Sequence, residues 1–425
     1  MQLTRRYFLK SAGLSLFGVG AVPAFLRRTA FAAISPQGGG SKKILVAIFM
    51  RGAVDGLNVV VPYGENDYYK MRPSIAIPAP GKSTDVAESA IDLDGFFGFH
   101  PRLDALKPIF DEGQLAVIDA AGSPSNSRSH FEAQDFMETA TPDAPNTRDG
   151  WLNRYLRYTP LPDPTPFRAV AASPRMPLTL EGPAHALAIG DLNDFKLRLN
   201  PRQPDTAGME AAFQALYASA SNPLLSSTAK ETFTAVNSLD KISQQNYQPE
   251  SGAQYPGGPF GRHMKEVAQL IKSDLGLEVA FVDVGGWDNH INEGGIQGQM
   301  ANRLKEFGDS LAAFHRDMGN RMADIVVLTM SEFGRTAREN GNRGTDHGHA
   351  NVMFVMGGQV KGGKVYGKWP GLKSHELNQD RDLALTADFR DVFAEVVTLH
   401  LGTPSPAGIF PGFNVSPGRF CGFLG

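Results

Sequence analysis

The chain has 425 residues, of which 42% are hydrophobic and 20% are charged, and its formal net charge is −3. This length suits one large domain or two smaller ones, and the small net charge excludes the strongly basic surface that is typical of nucleic-acid binding. A single cysteine, Cys421, excludes an internal disulfide, so the stability of the fold depends on its core and on any bound metal.

Residues 1–32 have the pattern of a twin-arginine signal peptide. Arg5 and Arg6 precede an uncharged apolar stretch, and paired arginines in this position are the address that the twin-arginine (Tat) translocase reads. The stretch is shorter than the about 20 residues that a spanning helix needs, and residues 30–32 (Ala-Phe-Ala) offer a cleavage site. We therefore predict a periplasmic or secreted protein with no stable membrane span after cleavage. An uncleaved anchor is the alternative, because Arg27 and Arg28 follow the apolar stretch.

The rest of the chain alternates between predicted strands and helices. Apolar runs predict strands at Lys43–Met50, Leu115–Ala120, Glu278–Val284, Asp324–Met330 and Val352–Met356. The segments between and after them predict helices at Arg102–Glu112, Phe131–Thr139, Gln299–Met318 and Leu383–His400. This alternation indicates an α/β fold with a mainly parallel central sheet and helices on both faces.

Residues from about 159 to 258 have a different composition. They are rich in Pro, Ser, Asn and Gln, and only two short segments, Met209–Ala218 and Thr228–Ile242, have a helical pattern. We interpret this stretch as a cap or insertion within a single domain that spans residues 33–425. Segments of this kind on a rigid scaffold commonly shape a substrate pocket.

Polar residues stand at the ends of all five predicted strands. In chain order they are Asp55, Ser129, His130, Asp288, His290, Glu332, Arg335 and His347. Because chemistry in an open α/β sheet collects outside the carboxyl ends of the strands, we expect these side chains to converge. A mixture of Asp, Glu and His ligands suits Zn²⁺, Mn²⁺ or a similar divalent ion better than Ca²⁺. The sequence therefore predicts a metal site.

Each assignment has a simpler alternative. Asp55 precedes Gly56, so its side chain could cap a turn. Ser129 could be only the N-cap of a helix, with His130 serving as a ligand or a base. His349 follows His347 by two residues and points either into the site or away from it.

Five motifs carry a family resemblance. RGAVDGLNVVVP, RSHFEAQD, GGWDNH, SEFGRT and TDHGHAN resemble the exported family catalogued as domain of unknown function 1501. Their order is similar to that of the alkaline phosphatase superfamily, which includes phosphatases and sulfatases. The resemblance implies one metal site from Asp288, His290 and His347, and a second from Asp55 and Glu332, hence one or two ions.

The resemblance also implies catalytic roles. Ser129 is in the nucleophile position at a helix start, although the superfamily spacing, counted back from the helix end, reaches His130 instead. Arg335, Arg128 or Arg51 would bind the free oxygens of the substrate. We therefore predict a metal-dependent hydrolase of a phosphate or sulfate ester, either a small molecule or a glycan. The alternative is a non-catalytic metal-binding scaffold, which is favoured by Phe333 at a position where the superfamily has a metal-binding histidine.

Overall fold

The structure, a computed structural model, describes residues 43–83, 88–162, 164–192, 235, 238–242 and 246–425. The predicted signal peptide and the predicted helix Met209–Ala218 lie outside the described residues. Of the predicted helix Thr228–Ile242, residues 235 and 238–242 are described, and they are helical. Within the described part of the chain, no helix is both long enough and apolar enough to cross a membrane.

The core is a nine-stranded sheet. The strands of the described residues are β1 (Ile44–Arg51), β2 (Val60–Val61), β3 (Ile91–Asp92), β4 (Gly98–Phe99), β5 (Leu115–Gly122), β6 (Ala169–Ala172), β7 (Leu187–Ala188), β8 (Val279–Gly285), β9 (Ile325–Met330), β10 (Asn351–Gly357), β11 (Lys364–Tyr366) and β12 (Ala387–Asp388). The order across the sheet is β11-β5-β10-β9-β1-β8-β6-β7, with β12 beside β5, while β2, β4 and β3 form a separate small sheet. Among the described strands of the large sheet, only β10 runs antiparallel to its neighbours.

Helices cover both faces of the large sheet. The α-helices for which the structure gives full bounds are α1 (Gly56–Val59), α2 (Asn66–Met71), α3 (Lys107–Asp111), α4 (His130–Thr139), α5 (Trp151–Tyr158), α6 (Pro259–Lys272), α7 (Gln299–Met318) and α8 (Phe389–Glu395). Alternate residues of β1 belong to different hydrophobic clusters. Val46, Ile48 and Met50 pack in the cluster that includes α6 and α7, whereas Leu45, Ala47 and Phe49 pack in the one that includes α5 and α8.

This alternation explains the sequence of β1. Successive side chains of a strand point to opposite faces, so a strand between two helical layers needs an unbroken apolar run. Residues 45–50 are all buried. The predicted fold class, α/β with a mainly parallel central sheet flanked by helices, is confirmed.

Three elements differ from the prediction. The helix expected at Arg102–Glu112 is a 3₁₀ segment, Pro101–Leu106, followed by the short α3. The last helix begins at Phe389 and not at Leu383, because the side chain of Asp388 caps it by accepting a hydrogen bond from the backbone N–H of Arg390 at 2.9 Å. The capping residue Asp388 is also the last residue of β12, which pairs with β5.

The third difference concerns the predicted insertion. The strands β6 and β7 fall within residues 159–258, yet β6 pairs in parallel with β8 and with β7. The first part of this stretch therefore belongs to the central sheet. Its two short strands, which have only four and two residues, are too brief to give a periodic signal in a Pro-rich context.

The topology gathers the polar loops at one edge. The carboxyl ends of β1, β8 and β9 are adjacent, and β5 runs in the same direction because both β5 and β9 are antiparallel to β10. The reversed β10 brings its amino end to this edge. The segments after β1, β5, β8 and β9 and the segment before β10 therefore meet in one place.

Candidate metal centre

Three imidazoles and one carboxylate meet at this edge of the sheet. His130 is the first residue of α4, Asp288 and His290 follow β8, and His347 precedes β10. Ligand atoms of His130, Asp288 and His347 all lie within 4.8 Å of one another. His290 Nε2 lies 3.0 Å from His347 Nε2 and 2.9 Å from Asp288 Oδ1. The side chains are 23–42% exposed, so the cluster is open to solvent on one side.

The Nδ1 atom of each ring, on the side away from the centre of the cluster, is held by a hydrogen-bond acceptor. The Nδ1 atoms of His130, His290 and His347 lie 2.7, 3.0 and 2.8 Å from Glu332 Oε1, Asp346 Oδ1 and the carbonyl oxygen of Arg128. An acceptor at Nδ1 places the proton there and leaves the Nε2 lone pair facing the centre. Metal-binding histidines are almost always oriented in this way.

The same arrangement is costly without a cation. His130 Nε2 is buried and has no hydrogen-bond partner. With protons on their Nδ1 atoms, His290 and His347 would face each other with two lone pairs across 3.0 Å. Buried polar atoms normally have a partner, and a divalent cation among these four side chains would supply one. The residues therefore fit a metal ion.

Glu332 stands behind the cluster and not among its ligand atoms. It has no exposed surface, and its Oε1 accepts hydrogen bonds from His130 Nδ1, from Gln134 Nε2 at 2.8 Å and from the N–H of Gly52 at 2.8 Å. Burial alone would raise the pKa of Glu332, but the hydrogen bonds from His130 and Gln134 hold that pKa below its usual value. The hydrogen bond to Glu332 in turn raises the pKa of His130. Glu332 is therefore an anion that orients His130.

Gly52 shows how closely the neighbouring loops approach. Its φ is +116°, and a Cβ atom there would lie 2.8 Å from the backbone nitrogen of Asp288. Only glycine tolerates this conformation and this approach. The turn after β1 thus supports both Glu332 and the segment that carries Asp288.

The structure places Asp55 outside the cluster. Asp55 is 3% exposed, and both of its carboxylate oxygens bind the guanidinium of Arg72, Oδ1 at 2.8 Å. Arg72 is itself buried and donates to the carbonyl groups of Thr336 and Ala337. The ion pair occupies the oxygens that the sequence predicts as metal ligands. Among the described residues, one group of His, Cys, Asp and Glu side chains is close enough to hold an ion, and the predicted second site from Asp55 and Glu332 is not assembled.

Arg335 contacts a candidate ligand, Asp288, and not the solvent. Its side chain has no exposed surface, and its Nη1 donates to Asp288 Oδ1 at 2.8 Å. Its Nε and Nη2 donate to the hydroxyl and the carbonyl oxygen of Thr345, whose hydroxyl donates to the buried Glu293. Burial opposes ionisation of Asp288, but Arg335 lowers its pKa. Arg335 therefore positions Asp288, and the predicted role as a clamp on substrate does not fit its burial.

Ser129 stands at the N-cap of α4, half-buried, and its side chain makes no capping hydrogen bond. The first backbone N–H groups of a helix have no partner within the helix and carry a partial positive charge. The hydroxyl of Ser129 is thus not committed to its own helix. It lies one residue from His130, at a place that favours an anion.

Three arginines near the site, Arg51, Arg128 and Arg381, have exposed surface, and Arg51 has the least at 23%. Arg51 is engaged by Asp283 and Glu138. Arg128 pairs with Asp382 and keeps 28% of its side chain exposed, whereas Arg381 is 39% exposed and donates from Nη2 to the carbonyl oxygen of His347 at 2.7 Å. Sequence reasoning missed Arg381, because it lies in an irregular segment that only the fold brings to the site.

The fold and the site together define a class: a mainly parallel α/β protein with a histidine-rich candidate metal centre at the carboxyl edge of its sheet. The chain belongs to the family described as "Protein of unknown function (DUF1501)", whose model matches residues 116–405. The predicted membership of this family is confirmed.

Comparison with other proteins gives weaker similarities. No curated protein matches the sequence. Among solved structures, the chain is similar to the zinc complex of the C-terminal periplasmic domain of EcEptC from Escherichia coli, with 10% identity, 91% of each chain covered and a TM-score of 0.39. It is also similar to the PsFucS1 sulfatase from Pseudoalteromonas sp., with 10% identity, 95% of this chain and 74% of that chain covered and a TM-score of 0.37. Neither similarity is strong enough to assign a function.

Proposed function

We propose that the protein is an exported, metal-dependent hydrolase of a phosphate or sulfate ester. The observation that carries the proposal is the convergence of three imidazole Nε2 atoms on the carboxylate of Asp288, with each imidazole fixed by an acceptor at Nδ1. Three imidazoles and one carboxylate are a ligand set that suits Zn²⁺. We therefore propose a single zinc ion, held by His130, Asp288, His290 and His347.

The residues around this set have distinct roles in the proposed reaction. A bound divalent cation is a Lewis acid that polarises an ester and lowers the pKa of a nearby hydroxyl. Glu332 and Arg335 keep His130 and Asp288 in place. Arg128 and Arg381 present positive charge to the free oxygens of the ester.

Ser129 is the proposed nucleophile. Its Oγ forms a bond to phosphorus or sulfur while the bond to the leaving oxygen breaks, and the proton of Ser129 ends on the departing alcohol. Water then cleaves the seryl ester, releases phosphate or sulfate and restores the hydroxyl. The first turn of α4 stabilises the negative charge that develops at this position.

Variants of neighbouring residues test the assignment. Ser129→Ala should retain zinc and lose turnover on chromogenic phosphate and sulfate esters by about 10³-fold or more. His130→Ala should lose zinc and turnover together, because it removes a ligand. Turnover that survives in Ser129→Ala would point to direct attack by water. Zinc binding without turnover of any ester in the wild type would instead support the alternative, a non-catalytic scaffold.

We also propose that export follows the twin-arginine route. The paired Arg5 and Arg6 before an uncharged apolar stretch support this proposal. The Tat translocase would then be a transient partner, and the substrate would be encountered in the periplasm or outside the cell.

A further inference from the structure

Two apolar side chains stand in solvent beside the candidate metal centre. Four large apolar residues of the described chain are notably exposed: Phe131 at 86%, Ile291 at 58%, Tyr158 at 47% and Leu399 at 46%. Isolated exposed apolar residues are normal on protein surfaces. The two most exposed of these, however, directly follow two of the proposed ligands in the sequence, His130 and His290.

Both residues adjoin the cluster along the chain, because each is bonded to one of its histidines. The ring of His347 is close to the rings of the other two histidines. Its centroid lies 4.3 Å from the ring centroid of His130 and 4.8 Å from that of His290. Phe131 and Ile291 have Cα atoms about 3.8 Å from those of the adjoining histidines. Phe131 is the second residue of α4, and helical side chains lean toward the helix N-terminus, which here is the end that carries the cluster.

We propose that Phe131 and Ile291 form a subsite for the apolar part of the substrate, so that the ester carries an aryl or alkyl group. The inference rests on the proposed function. The anionic end of such a molecule would meet the metal ligands, Arg128 and Arg381, while its apolar part covers the two exposed side chains. Neither side chain offers a hydrogen bond to a sugar hydroxyl. This pair of apolar side chains therefore favours an aryl or alkyl monoester over a glycan ester.

The expected effect follows from burial of apolar surface. Each methylene group buried on binding strengthens affinity by at most about fourfold. Two side chains would bury only part of the surface of a few methylene groups of the ligand. We therefore expect affinity to rise about tenfold or more between a one-carbon and a six-carbon ligand.

The experiment uses ligands that are not hydrolysed. Methyl-, butyl- and hexylphosphonate are titrated by calorimetry into the zinc-loaded mature protein, and zinc content is measured in every sample. The variants are Phe131→Ser, Ile291→Ser and the double substitution. Leu399→Ser and Tyr158→Ser are matched controls, because these residues are also exposed and apolar but do not adjoin a ligand. The double variant should bind methylphosphonate normally and lose the rise with chain length, whereas the controls should keep it.

Three outcomes would overturn the subsite. Wild-type affinity could be the same for all three phosphonates, or the double variant could keep the full rise. Wild type could also sediment with phosphatidylcholine vesicles while the double variant does not, which would assign the pair to membrane contact. Zinc-loaded wild type that binds none of the phosphonates would overturn the proposed function, and the subsite with it.

Discussion

The substitution Glu332→Gln tests whether Glu332 is itself a metal ligand or a residue that orients a ligand. The structure has three donors at Glu332 Oε1: His130 Nδ1, Gln134 Nε2 and the N–H of Gly52. A glutamine can keep its carbonyl oxygen in this position and turn its amide toward the hydroxyl of Ser331, which lies 3.2 Å from Oε2. The substitution therefore removes the negative charge and preserves the shape of the site.

The loss of charge should weaken zinc binding without abolishing it. A carboxylate behind a ligating histidine raises the basicity of the ring, and its removal typically costs 10–100-fold in metal affinity, or about 1.4–2.7 kcal/mol. All four proposed ligands remain in Glu332→Gln. His130→Ala, by contrast, removes a ligand and should lose far more affinity.

Zinc affinity can be measured by competition with a chromophoric chelator, and cobalt substitution reports the coordination by its absorption spectrum. Glu395→Gln is a matched control, since Glu395 is equally buried and accepts hydrogen bonds from the backbone of Gly422 and Leu424, in a different part of the fold. The control should leave zinc affinity unchanged. If Glu332→Gln lost zinc as completely as His130→Ala, Glu332 would itself be a ligand. An unchanged affinity would show that Glu332 does not orient His130.

Three further predictions concern export and stability. Replacing Arg5 and Arg6 together by Lys should leave the precursor in the cytoplasm, and normal periplasmic accumulation in a fractionation assay would contradict the Tat assignment. Arg72→Leu leaves Asp55 charged, buried and unpaired, so we expect a loss of about 3–5 kcal/mol in the free energy of unfolding by denaturant titration; a smaller loss than 1 kcal/mol would contradict this. Burial raises the pKa of Asp119 to about 7, so the folded chain binds more protons than the unfolded chain between pH about 4 and about 7, and stability from this residue falls as pH rises through that range. Asp119→Asn should remove this slope in urea titrations at several pH values, and an unchanged slope would refute the assignment.

Much of the fold was predictable from local sequence. Unbroken apolar runs such as residues 45–50 have the pattern that a doubly covered strand requires, and the strand-end rule then directs attention to the residues that follow. What this reasoning does not provide is the direction of β10, because an apolar run is the same in either direction. It also does not reveal short strands such as β6, which are stabilised by their neighbours and not by a pattern of their own.

The sequence indicates which residues lie near the candidate site better than it indicates what each of them does there. Asp55, Glu332 and Arg335 all stand at strand ends, and residue type alone does not distinguish a ligand from a residue one contact behind it. The hydrogen-bond partner of each residue determines its role, and these partners come from distant parts of the chain. Arg72 is the partner of Asp55, and His130 is the partner of Glu332. Differences of a few ångströms in tertiary packing thus separate the proposed metal ligands from the groups that support them.

The proposed ligands come from three segments that are far apart in the sequence: the start of α4, the loop after β8 and the loop before β10. A single ion would therefore act as a cross-link that joins the two halves of the domain, in a chain whose one cysteine can form no internal disulfide. Such a cross-link closes only after the central strands have paired, so metal capture would be a late step in folding. A chain exported in its folded state would carry the ion with it and would not have to compete for scarce zinc outside the cell.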